Sequence, residues 1–180
     1  MFRLGELVDG NWVAYHHEPL YERGERLMAG VPESDPKVFE ALVTCMAPPY
    51  FLLYILHTSR GEAAEGRYQS STLSADQVRS FLLRFRPFLS ADARYDLWAH
   101  SPGEGATVVW DRHDQIYAYG PLDRFVGVLD AMGFRPGNPK VEVIHQHNYH
   151  AECDQMAKEL VESFSWSYSP LRPEDEQAAV

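Results

Sequence analysis

The chain has 180 residues, 45% hydrophobic and 13% aromatic, with 16 basic against 26 acidic groups and a formal charge of −10 at pH 7. That length supports a core without disulfide staples and falls short of the ~250 residues of an eight-stranded α/β barrel. The acidic balance argues against a nucleic-acid binder, the lack of a long apolar run against a membrane span, and two cysteines against a disulfide framework, so a cytoplasmic protein is expected.

Residues 2–8 and 12–16 flank Asp9-Gly10-Asn11, and an Asp-Gly step between apolar runs predicts a hairpin. The start of the chain meets an acid at Glu6 and does not read as a signal peptide. Residues 18–34 lack periodicity and read as a loop with a short helical turn. Asp35 before Pro36 opens a helix with Phe39, Leu42, Val43 and Met46 on one face, and Pro48-Pro49 stops it. Residues 50–57 are apolar at both parities, as in a strand covered on both faces, and residues 67–72 return as a second strand.

Ser74 and Gln77 make a capping box ahead of the stripe Val78, Phe81, Leu82, Phe85 and Leu89, with Pro87 expected to end or kink the helix. Residues 94–100, 107–111 and 115–119 read as strands. The last two flank Arg112-His113-Asp114, a tight turn whose register the sequence leaves open; a two-residue turn would set Trp110 against Tyr117 and Val108 against Tyr119. A third helix opens at Pro121 and closes at Gly133-Phe134. Residues 140–147 form a strand, residues 151–164 a fourth helix, and the alternating Phe164, Trp166 and Tyr168 a short strand or extended arm. Residues 173–180 are an acidic tail, expected to fray. Short loops between strands favour antiparallel pairing, so residues 1–172 are expected to form one α+β domain: a mainly antiparallel twisted sheet with about four helices packed on it.

Chemistry concentrates in Val141-Glu142-Val143-Ile144-His145-Gln146-His147-Asn148-Tyr149-His150. Strand parity sends His145 and His147 to one face, with His150 following at the turn into the next helix. Three neutral imidazoles at this spacing can converge on a divalent transition metal such as zinc and leave a fourth position to water. The spacing resembles the H-x-H-x-D-H signature of metallo-β-lactamase-like hydrolases, but Tyr149 stands where that signature has aspartate and no histidine follows His150, so the chain is not placed in that family. Glu142 has the wrong parity for a general base, and Asp154, one helical turn beyond His150, is the better candidate.

The other histidines have structural explanations at hand. His16 and His17 end the first hairpin, His57 ends an apolar strand, and Asp111, His113 and Asp114 crowd a hairpin turn where such residues serve turn chemistry. No Gly-x-Ser-x-Gly elbow and no phosphate-binding glycine loop occurs. Two functional expectations follow. One is a non-enzymatic binding or interaction module, supported by ten tyrosines and four tryptophans and by the aromatic arm, which offers a route to a homo-oligomer or to strand addition on a protein partner. The other is a metal-assisted hydrolase built on His145, His147 and His150.

Overall fold

The computed structural model describes residues 1–175. β1 (Leu4–Val8) and β2 (Asn11–Ala14) form the expected hairpin. Val8 pairs with Asn11, and Asp9 and Gly10 both take positive φ, 50° and 79°, the two-residue turn whose twist matches its flanking strands. Residues 18–34 are not a loop: they hold β3 (Leu20–Arg23) and β4 (Leu27–Gly30), followed by a single 3-10 turn at Pro32–Ser34. All four β4 residues are buried, so the strand lacks the alternation that marks a half-buried one.

α1 (Pro36–Thr44) starts where Asp35 accepts the Lys37 N–H. β5 (Phe51–Leu56) and β6 (Gly66–Gln69) follow, and then α2 (Ala75–Leu89), whose capping box is complete on both sides. Pro87 does not end α2, which runs on to Leu89. The carbonyl that Pro87 cannot serve belongs to Leu83, which is exposed and can be satisfied by water. β7 (Tyr95–Ser101), β8 (Ala106–Trp110) and β9 (Gln115–Tyr119) form a meander.

α3 (Leu122–Ala131) ends at Gly133, φ 86°, with the Gly133 N–H on the Asp130 carbonyl and the Phe134 N–H on that of Leu129. β10 (Arg135–Pro136) was not expected. The strand expected over residues 140–147 shrinks to β11 (His145–His147), and the fourth helix to a 3-10 turn at Ala151–Cys153 and α4 (Asp154–Val161). β12 (Ser167–Ser169) closes the list of strands, and a 3-10 turn at Pro173–Asp175 buries Asp175 against Arg67. The rest of the expected frayed tail, 176–180, lies outside the described residues.

Nine strands form the main sheet in the order β10-β3-β4-β9-β8-β7-β5-β6-β12, antiparallel throughout except where β10 runs parallel to β3. This is the α+β architecture read from the sequence, a mostly antiparallel sheet with four helices. The core face carries Leu52, Tyr54, Leu97, Ala99, Val108, Trp110, Ile116 and Ala118, all fully buried with the apolar stripes of the helices. On the opposite face Phe51, Leu53, Trp98 and His100 are only half-buried while Ile55 is fully buried, so β5 is covered on both faces, as expected, only toward its end. A second, three-stranded sheet has the order β11-β1-β2. No helix among the described residues is long and apolar enough to cross a membrane.

Candidate metal centre

The hairpin between β8 and β9 turns through three residues, not two. The Asp111 N–H donates to the Gln115 carbonyl, Trp110 pairs with Ile116, and Val109 pairs with Tyr117. Asp114 supplies the left-handed residue of this turn, φ 56°, a conformation aspartate tolerates better than most side chains. Relative to a two-residue turn, which would pair Trp110 with Tyr117 and Val108 with Tyr119, the register is displaced by one residue, which sends Trp110 into the core and Tyr117 to the open face.

Buried carboxylates fix the turn. Asp111 Oδ1 accepts the N–H groups of His113 and Gln115, both at 2.9 Å, and Asp96 Oδ1 accepts that of Arg112 at 2.8 Å. The His113 carbonyl receives a hydrogen bond from the buried His17 ring, Nε2–H to O 2.9 Å. Burial pushes the His17 pKa below its ordinary value, so this donor is a neutral ring.

The small sheet delivers two more imidazoles to the same place. β11 pairs with β1 so that Leu4 lies opposite His147 and Glu6 opposite His145. Directly opposed residues of an antiparallel pair project to the same face, so all four share one side of the sheet. The ring of His113 lies 5.2 Å from that of His145 and 4.6 Å from that of His147, centroid to centroid. One ring nitrogen from each of the three sits within 4.8 Å of the other two.

Hydrogen bonds set the tautomers. His113 Nδ1–H donates to Asp111 Oδ2 at 3.2 Å and His145 Nδ1–H to the Val143 carbonyl at 2.9 Å, which leaves an Nε2 lone pair on each ring. His147 Nε2 is buried with no hydrogen-bond partner. Burial first, and then electrostatic interaction with His113, Arg112, His145 and Arg3, brings the His147 pKa down to about 3. That ring is neutral at any physiological pH, the form a metal requires. A tetrahedral ion with bonds of ~2.0–2.1 Å holds its nitrogens about 3.3 Å apart, closer than the 4.8 Å limit within which these three lie.

His150 is not in this group. Its Nε2–H donates to the Phe2 carbonyl at 3.0 Å, and its backbone N–H to Asp92, because the chain turns at residue 148 to bind the start of β1. Asp154 lies elsewhere too, paired with Arg60 at 2.9 Å and with the buried Arg94 at 3.0 Å. Hydrogen bonds from Arg60 and Arg94 hold its pKa below the ordinary carboxylate value, the wrong direction for a general base. Glu142 accepts from Asn138. His16 meets Glu33, His57 Nε2 lies 3.0 Å from Asp96 Oδ2, and His100 bonds Thr107.

The sequence offered one signal for His113: a carboxylate two residues before it in a turn, the pairing that orients metal-bound imidazoles. Turn chemistry explains the same residues, so the signal did not distinguish the two roles. Comparison with known protein families, characterised proteins and solved structures finds no match for this chain.

Proposed function

We propose that the protein holds a divalent transition metal of the zinc type between His113, His145 and His147, and uses its remaining coordination position for metal-assisted hydrolysis of a small substrate. The observation that carries this is the convergence of three ring nitrogens within 4.8 Å from two separate sheets. Three histidines with one open position are a ligand set of catalytic zinc sites, whereas structural sites are closed by four protein ligands. A metal in that position lowers the pKa of its bound water toward neutrality. Glu6, opposite His145 on the same face, is the carboxylate we assign to accept the proton.

An interaction module remains the second reading, supported by the exposed Tyr168 on the edge strand β12. The rest of the aromatic arm packs on its own chain, with the rings of Phe164 and Trp166 at 5.5 and 6.2 Å from that of Phe81. The three-imidazole geometry is the more specific observation and favours the metal reading. Cys45 and Cys153 are both free thiols, which fits the cytoplasm we propose as its compartment.

Metal analysis of protein purified without chelator tests the proposal. About one zinc or similar ion per chain is expected, lost in His113→Ala, His145→Ala and His147→Ala and retained in His150→Ala. Background metal in the wild type, or full occupancy in His113→Ala, would refute the assignment.

A further inference from the structure

Arg112 stands immediately before His113 in the three-residue turn, with its backbone N–H held by Asp96. The chain carries 26 acidic groups for 16 basic ones, and its other arginines with buried or half-buried side chains are matched accordingly. Arg3 meets Asp114, Arg67 meets Asp175, and Arg94 meets Asp92 and Glu62. Arg112 forms no ion pair with any described residue, and its Nε is buried without a hydrogen-bond partner. In so acidic a protein an unmatched guanidinium is not the default outcome of folding, and a buried N–H without an acceptor is a standing cost.

We propose that Arg112 is the anion-binding group of the His113–His145–His147 centre, so that the ligand taken there carries an oxyanion, a carboxylate or a phosphate. The assignment of that ligand to the centre rests on the metal reading above. A divalent ion on three neutral imidazoles and one guanidinium concentrate positive charge on one side of a protein that is acidic overall. A single oxyanion answers both: one oxygen fills the open metal position while the planar fork of Arg112 grips the others, a geometry that an ammonium cannot supply.

Calorimetric titration of orthophosphate and of acetate, in separate arms, tests this on the wild type, Arg112→Gln and Arg112→Lys, each with and without one equivalent of zinc. With zinc, the wild type should bind at least one anion tenfold or more tightly than Arg112→Gln, with Arg112→Lys between them, and the arm that responds tells a phosphate ligand from a carboxylate. Zinc binding, followed separately by the visible spectrum of the cobalt-substituted protein, and thermal unfolding should be kept in Arg112→Gln, since that side chain makes no bond within the described structure. Equal anion affinity in the wild type and Arg112→Gln overturns the assignment of Arg112. A wild type that takes up no zinc defeats the metal reading separately. The zinc-free arms then decide Arg112 alone, a several-fold gap supporting it and no gap refuting it.

Discussion

His147 shows how a residue that is ordinary in the sequence becomes committed by its surroundings. Its folded-state pKa of about 3 lies far below the usual 6.5, because burial first, and then interaction with His113, Arg112, His145 and Arg3, opposes its protonation. His17 is shifted in the same direction by burial. Below pH 6.5 the unfolded chain therefore takes up protons that the folded chain refuses. The stability His147 contributes is complete above pH 6.5 and is lost as the pH falls toward 3, at up to about 1.4 kcal/mol per pH unit, less what partial exposure screens away, and His17 adds to the loss in the same direction. Metal-free protein should show a thermal midpoint that declines from pH 6.5 to 4.5, and His147→Asn should flatten that decline. An equally steep decline in the variant would mean that His147 is protonated in the folded state as readily as in the unfolded one.

At the scale of elements, the sequence carried whatever depends on neighbours along the chain. The capping box of α2, the glycine stop of α3 and the Asp-Gly hairpin are each set by a few adjacent residues, and each forms as expected. β3 and β4 were not legible, since Leu27-Met28-Ala29-Gly30 is buried along its whole length and shows no period. The cluster of His113, His145 and His147 was half legible for the same reason. Parity placed His145 and His147 together, but whether the third ring is His150 or His113 depends on how two sheets dock, which no local pattern records.

The hairpin that carries His113 depends in turn on β4, through a contact that exists because Gly30 has no side chain. A Cβ there would lie 2.6 Å from His17 Nδ1 and 2.8 Å from its Cγ. Gly30→Ala must therefore displace His17 and loosen its bond to the His113 carbonyl. Partners that orient metal ligands from outside typically contribute 10–100-fold in affinity, so Gly30→Ala should weaken zinc binding by about tenfold with the fold retained. A competition titration with a chromogenic chelator reads this, and an unchanged affinity would show that His17 does not position the turn.

Across the whole molecule, one arginine ties the small sheet to the large one. Arg3 begins the chain's entry into β1, where a charged residue reads as surface, yet its side chain is fully buried. The guanidinium sits 4.5 Å from the ring centres of both Tyr95 and Trp110, donates to the carbonyls of Leu89, Tyr95 and Asp111, and lies 3.3 Å from Asp114. Asp111 and Asp114 belong to the His113 hairpin, while β1 carries β11 with His145 and His147, so the two halves of the proposed centre are registered through this one side chain. Burial already raises the Asp114 pKa against the pull of Arg3. Arg3→Met would strand that carboxylate without its counter-charge and take one donor from each of three carbonyls, a loss of about 3–5 kcal/mol for a broken buried pair. The deficit should shrink in acid, where Asp114 protonates, and Arg3→Met with Asp114→Asn should recover part of it, because a neutral amide needs no cation. Urea unfolding of the two variants measures both effects. Zinc affinity should fall in Arg3→Met at denaturant concentrations where the chain is still folded, because the rings of the two sheets then lose their common register. Full zinc affinity in that variant would mean that β11 and the His113 hairpin find one another without the buried arginine between them.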